Sequence, residues 1–393
     1  MNPPDSEEKL GLEAYYTHSP GIRGRLKQQP EDFVVEEVDA HGSLVSLEGD
    51  SSTDDIPGAY THFTLVKRNW DTMRAVKEIS KKLGVSQRRL SFAGTKDRKA
   101  MTAQRVSVYN TPVERLRALR IKDITLKDFR YADESIGMGD LWGNHFTVTI
   151  RGIKPSTNPV DAMEKVMNEC GGVFTNYYGI QRFGTVRPVT HLVGREILRN
   201  DLRQAVMIYL SKVFNGESDE VKAVRLQLAE RSSFKEALKS FPKSLGYEKA
   251  LLNHLVEKPG DYAGALRRLP KSLQLMFVHA YQSHVFNRAL SSYLKKGLSV
   301  ERLPLVGLET GVDDESARIL REDGVSIEDF NVKQLPELSS RGGYRDCFSM
   351  AEEFRVIESG GDELDNGTLK VKLSFRLKKG CYATVFLREL MKN

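Results

Sequence analysis

In the stretch SFAGTKDRKAMTAQRVSVY, Ser91 to Tyr109, a single carboxylate, Asp97, stands between Lys96 and Arg98, with Lys99 next. From Lys81 to Arg105 there are eight Lys or Arg and no acid except Asp97. Neighbouring cations favour the ionised form of a carboxylate. Ionised, it can serve as a nucleophile or a base but is a poor general acid, which argues against the protonated member of a glycosidase pair. The bland alternative is a solvated turn aspartate balancing its neighbours, and for an arbitrary G-x-K-D that alternative is favoured. Lys27 precedes the Pro-Glu-Asp turn of LKQQPEDFVVEE. Alone it reads as a surface lysine. If the strand after it lies beside SFAG, Lys27 can reach Asp97 and hold it ionised.

A second constellation is FTNYYGIQRFG, Phe174 to Gly184. Asn176, Tyr177, Tyr178, Gln181, Arg182 and Phe183 fall within it. Aromatic, amide and guanidinium groups together suit an unstacked nucleobase: a ring stacks on it and amides read its edge. The competing reading is an aromatic strand and turn in a core, although so many polar groups are awkward to bury unused. AYQSHVFNRAL reads as a helix with Tyr281, Val285 and Phe286 in the core and Gln282, Ser283 and Asn287 as its polar remainder. In GCYATVFLREL, Tyr382 and Phe386 read as packing, and Arg388 as a partner for a phosphate or an acid.

Composition narrows the chemistry. Three cysteines lie far apart with no C-x-x-C pair, and the eight histidines are scattered. A disulfide scaffold and a zinc site are not expected. The net charge of +6 is mild, but its concentration in the Lys81–Arg105 block favours an anionic partner. No apolar run approaches the roughly 20 residues that span a bilayer, and MNPPDSEEKL reads as neither a signal nor a transit peptide. The cytoplasm, or a nucleus if there is one, is the default location, and a monomer the default state.

Length, 393 residues, points to two domains. Residues 1–20 read as a loose arm and GDSSTDDIPG as a loop. EDFVVEEV, AYTHFTLVKR, LSFAG, AQRVSVY, ITLKDFRYA and HFTVTIRG read as strands. DTMRAVKEISKKLG is a helix with an Asp cap, apolar positions at Met73, Val76, Ile79 and Leu83, and a stop at Gly84. PVDAMEKVMNECGG is a helix between Pro159 and Gly171, and VERLRAL looks helical. From about Pro188 amphipathic helices dominate for roughly 110 residues. Strand patterns return at FRVIES and LKVKLSFRL, followed by a helix at CYATVFLREL. The economical reading is a helical insertion in a sheet domain that the C-terminal strand and helix rejoin. The alternative is two tandem domains.

In order along the chain, KQQPEDFVVEE, FAGTKDRKAMTAQ, NYYGIQRFG, YQSHVFN and KGCYATVFLREL resemble the motifs of the TruD family of tRNA pseudouridine synthases. The matches span residues 27 to 390. The resemblance implies an α+β pseudouridine synthase fold, a mixed, mostly antiparallel sheet with flanking helices, and a largely helical inserted domain. The implied organisation is 1–187 and 346–393 for the catalytic domain and 188–345 for the insertion. It implies a cofactor-independent, metal-independent isomerase converting uridine to pseudouridine in tRNA, typically at uridine 13. Asp97 becomes the catalytic carboxylate and Lys27 its partner. Asn176, Tyr178, Gln181, Arg182 and Phe183 become substrate-binding residues. Many members carry Phe where this chain has Tyr178, and LPLVG at Leu303–Gly307 is a looser form of a family segment. Arg88, Arg89, Lys96, Arg98 and Lys99 are read as phosphate contacts. Two other readings compete: an RNA-binding protein without catalysis, and a metal-dependent nuclease, for which the GTKDRK neighbourhood offers no further carboxylates.

Overall fold

The computed structural model describes residues 2–49 and 58–393. The loop read at GDSSTDDIPG falls, over 50–57, outside the described residues. The chain divides into two compact units: Thr17–Phe174 with Ser349–Asn393, and Met1–Tyr16 with Thr175–Phe348. The sequence reading drew its boundaries at 187/188 and 345/346; the division in the structure runs at 174/175 and 348/349.

The first part of the sheet unit contains strands β1 (Phe33–Asp39), β2 (Tyr60–Arg68), β3 (Leu90–Phe92), β4 (Met101–Tyr109), β5 (Ile124–Ala132) and β6 (Leu141–Ile153), with helices α1 (Thr72–Leu83), α2 (Val113–Arg117) and α3 (Pro159–Cys170). The helical unit contributes α4 (Thr190–Leu198), α5 (Leu202–Ser211), α6 (Asp219–Arg231), α7 (Phe234–Ser240), α8 (Gly246–Glu257), α9 (Lys271–Lys295), β7 (Arg302–Leu305), α10 (Asp314–Asp323) and β8 (Gly343–Asp346). The chain ends with β9 (Glu352–Gly361), β10 (Leu369–Lys378) and α11 (Ala383–Met391), back in the sheet unit.

The sheet runs β9-β10-β6-β1-β4-β2-β5, with β3 on β4. Only β1 and β4 pair in parallel; the remaining pairs are antiparallel. Because β10 hydrogen-bonds to β6, the C-terminal strands complete the sheet that β1 to β6 begin. The alternation that marked β2 puts Phe63 and Leu65 into a core with Val106 and Val108 of β4. Helix α1 covers that core. Its Asp71 cap accepts from the Arg74 amide, and Gly84 closes it at φ 66°, a left-handed conformation that glycine adopts without a Cβ clash. Val76, Ile79 and Leu83 face inward as read, but Met73 lies in solvent and Ala75 takes its place. Burying the three large side chains is worth roughly 5–9 kcal/mol, an upper figure.

In the helical unit α4 packs against α9 through Gly194, where a Cβ would lie 2.0 Å from the Phe277 carbonyl oxygen. The N-terminal arm is not loose. Leu10 and Leu12 are buried, Asn287 Nδ2 donates to the Leu10 carbonyl, and Ser291 Oγ donates to that of Gly11. Two leucines in a mostly polar stretch were too few to signal this. The insertion, read as largely helical, also holds a short antiparallel strand pair, β7 with β8, whose proline and glycine masked the pattern. Among the described residues, no helix is long and apolar enough to cross a membrane.

Candidate active site

In the sheet unit, Asp97 lies on the irregular connection between β3 and β4. Side chains from neighbouring strands hold this connection nearly residue by residue. Gln104 Nε2 on β4 donates to the Gly94 carbonyl at 2.9 Å. Thr72 Oγ1, at the start of α1, accepts from the Lys96 amide at 3.0 Å and donates to Gln104 Oε1. The Lys96 ammonium meets Glu37 Oε2 of β1 at 2.6 Å. Lys67 Nζ of β2 donates to the Asp97 carbonyl at 2.9 Å and to that of Trp70 at 2.6 Å. A backbone so held cannot drift, which is what a reacting carboxylate requires of its scaffold.

Lys27 Nζ contacts Asp97 Oδ1 at 2.9 Å. The carboxylate side chain keeps 36% of its surface exposed and the lysine 18%. Among the described residues, the other carboxylate oxygen has no hydrogen-bond partner, leaving one oxygen oriented by the ammonium and one open. The ammonium sits 3.9 Å from the centre of the Phe33 ring, whose negative face attracts cations. Lys27 itself has φ 55°, a strained conformation for a non-glycine residue. The Pro-Glu-Asp turn after it is anchored by Asp32, which accepts from the Gln29 amide and from the buried Arg151 guanidinium of β6.

Of the cations read as phosphate contacts, Arg88, Arg98 and Lys99 are exposed. Lys96 is not: its side chain is 4% exposed and paired with a Glu37 side chain at 1%. The phosphate role is corrected, because an ammonium already desolvated and neutralised has nothing left for RNA. Arg89 is half-buried, its guanidinium donating to the carbonyls at Tyr109 and Asn110, just past β4.

The NYYGIQRFG segment lies in the helical unit, where it is held by the polar residues of α9. The Tyr178 amide donates to Asn287 Oδ1, Asn287 Nδ2 donates back to the Tyr178 carbonyl, Tyr177 hydrogen-bonds Ser291, and Arg182 Nε donates to Ser283. Asn176 is buried with both ends of its amide engaged: Nδ2 donates to the Asp346 carbonyl, and Oδ1 accepts from Arg345 Nη2 at 2.6 Å. The same guanidinium lies 4.2 Å from the centre of the Tyr178 ring, and Phe286 meets that ring edge-on. Tyr178 is therefore a buried ring with Arg345 over one face. Phe183 is fully buried between His191 and His284. Its reading as a substrate contact is corrected to core. Gln181 is exposed and Arg182 half-buried. Arg388, read as a partner for phosphate, is buried on α11.

The sequence reading missed Lys67, Glu37 and Arg345. The first two carry a faint signal. Phe63, Leu65 and Lys67 share one strand phase, as do Phe33, Val35 and Glu37, and all six are buried. A charge in the inward phase of a strand marks a buried, partnered ion. Nothing local marks Arg345.

Among the described residues, no three His, Cys, Asp or Glu side chains are grouped to hold a metal ion. The model for tRNA pseudouridine synthase D matches residues 9–307 and 301–390. Named relatives described as probable tRNA pseudouridine synthase D include one from Methanosarcina acetivorans, 37% identical over 446 aligned positions covering 100% of this chain and 98% of that one. Another, from Methanopyrus kandleri, is 41% identical over 85% of this chain and 86% of its own. A solved structure from Methanosarcina mazei, named for the same enzyme, superposes with a TM-score of 0.80 at 35% identity, covering 100% of this chain and 99% of that one. The chain belongs to the tRNA pseudouridine synthase D (TruD) family.

Proposed function

We propose that this protein is a tRNA pseudouridine synthase that acts at uridine 13 and uses Asp97 as its catalytic carboxylate. The observation that carries the reading is the Lys27–Asp97 pair at 2.9 Å on a connection fixed by four further side chains. Isomerisation breaks the C1′–N1 bond, turns the uracil and joins C1′ to C5. N1 gains a proton and C5 loses one. An ionised carboxylate can attack C1′ or C6, or take the 2′ proton. Each route needs a charged oxygen that is oriented yet reachable, and one oxygen held by Lys27 with the other open fits that need. Lys27 orients one carboxylate oxygen and places a positive charge beside it.

Extruding the target nucleotide costs a few kcal/mol, which contacts to the RNA backbone offset. Arg88, Arg98 and Lys99 are assigned to those contacts. In the helical unit, Gln181 and Arg182 are assigned to RNA, with Asn176 and Tyr178 acting through the Arg345 guanidinium they orient.

The test follows tritium released from C5 of uridine in tRNA. Wild-type protein releases it without added metal, and Asp97→Asn lowers the rate at least about 1,000-fold while RNA binding persists. An active Asp97→Asn protein sinks the catalytic assignment. Sequencing the product for pseudouridine locates the modified uridine; a position other than 13 overturns the site assignment alone.

A further inference from the structure

We infer that Lys67 is a positioning residue for the isomerisation: its buried ammonium fixes the main chain of Asp97 and places a positive charge behind the reacting carboxylate. This rests on the reading that Asp97 acts.

Lys67 is a costly residue where it stands. It lies at the end of β2 in the inward phase of Phe63 and Leu65, and its exposure is 0%. A buried ammonium without a carboxylate in direct contact is expensive. Methionine at this position would extend the apolar core of α1, β2 and β4 at no such cost. Lys67 does not spend its protons on a salt bridge. It donates to two main-chain carbonyls, Trp70 at 2.6 Å and Asp97 at 2.9 Å. These carbonyls belong to the two loops that border the site: the link from β2 to α1 and the link from β3 to β4.

The charges around it are few. Asp71, the cap of α1, and Asp97 attract the ammonium, and Lys96 repels it. Lys96 is itself neutralised by Glu37, and Lys27 faces Asp97 at its carboxylate. Asp97 is thus gripped from two directions: Lys27 holds one side-chain oxygen and Lys67 the carbonyl. Lys67 acts through the backbone rather than by touching the reacting oxygens, so its effect falls on the placement and field of the carboxylate and not on RNA affinity.

Burial, outweighing Asp71 and Asp97, pulls the Lys67 ammonium down from the usual lysine range to about 8. It is charged at neutral pH and loses its proton in mild alkali. The unfolded chain still holds this proton up to the ordinary lysine value of 10.5. Unfolded protein therefore binds more protons between the two values, and the Lys67 contribution to stability rises with pH across that window. A fall in rate above pH 8 caused by Lys67 is then a loss of function without a loss of fold.

The experiment measures single-turnover tritium release at saturating tRNA from about pH 6.5 to about pH 9, with tRNA affinity measured separately. Uridine N3 begins to ionise at the top of this range, so the limb is assigned to Lys67 by its loss in the Lys67 variants, which leave the substrate unchanged. For wild-type protein the rate constant declines with a midpoint near pH 8. Lys67→Met at neutral pH lowers it about 100-fold, leaves tRNA affinity within about twofold, and removes the alkaline limb. Lys67→Gln keeps a donor without the charge and falls between the two. A folded Lys67→Met protein with the wild-type rate constant, or one that keeps the alkaline limb, overturns the inference. If Lys67→Met does not fold, a flat wild-type profile across this range overturns it on its own, and a decline near pH 8 that Lys67→Gln abolishes supports it. Asp97→Asn in the same assay separates the two failures: an active Asp97→Asn protein refutes the carboxylate assignment, whereas an inert one beside an unimpaired Lys67→Met protein refutes the role of Lys67.

Discussion

At the scale of single residues, the site is a carboxylate with one oxygen held and one open. Lys27 supplies the hold from a backbone at φ 55°, a conformation that costs an ordinary residue about 1–3 kcal/mol. Lys27→Gly separates the two properties of this residue. Glycine adopts that backbone freely but has no ammonium to offer Asp97. The expected outcome is a urea midpoint close to wild type and a tritium-release rate lowered at least about tenfold. A Lys27→Gly protein with the wild-type rate would show that the pair is ornamental. Asp97 and Lys27 were legible because each sits in a contiguous motif, FAGTKD and KQQPEDF, and a motif survives being read in one dimension. Lys67 and Glu37 were not, since each looks like one more charge at the end of a strand until the strand's phase is known.

At the scale of elements, charged and polar side chains serve as fasteners. The Lys96–Glu37 pair ties the Asp97 connection to β1, and removing one partner of a buried pair strands the other. Glu37→Ala is expected to cost about 3–5 kcal/mol in urea unfolding, a loss that an exposed charge would not produce. In the helical unit, His191 on α4 and His284 on α9 lie with ring centres 4.7 Å apart. Burial lowers both: His284 drops to about 3, aided by Arg288, and His191 lies well below its ordinary value with the help of His284. The sign follows from proton counting. Below the ordinary histidine value of 6.5 the unfolded chain takes up protons that the native rings refuse, so stability falls as the pH drops. Two such histidines give a slope approaching about 2.7 kcal/mol per pH unit. Urea midpoints at pH 7 and pH 5 measure it, and His284→Phe should flatten the difference. The helices themselves were read well, because caps such as Asp71 and stops such as Gly84 act locally. The arm was misread and the β7–β8 pair went unread, because the arm owes its order to the distant α9 and each short strand to the other.

At the scale of the whole molecule, the exposed cations Arg88, Arg98 and Lys99 are expected to act together on RNA. Replacing Arg98 or Lys99 by Ala should weaken binding about equally for different RNAs and reduce the salt slope by about 1. Lys96→Ala should instead lower stability, which thermal unfolding and filter binding distinguish. Composition and periodicity were enough for a sheet-forming chain, α+β or α/β, with a long helical stretch between its strand-rich parts, because the shift from period two to helical spacing is written along the chain. They also drew attention to Asp97, a lone acid in a basic block, but left a solvated turn as the favoured reading; the companion motifs in order made it the catalytic candidate. What the tertiary structure decided is which charges are surface and which are scaffold. Lys96 and Lys67 have the same chemistry as the exposed Lys99, and Glu37 that of any surface glutamate. Only the order of the strands, with β4 between β1 and β2, brings the inward phases of separate segments to the back of one connection. Burial depends on what lies across the sheet, and that neighbour is distant in the sequence.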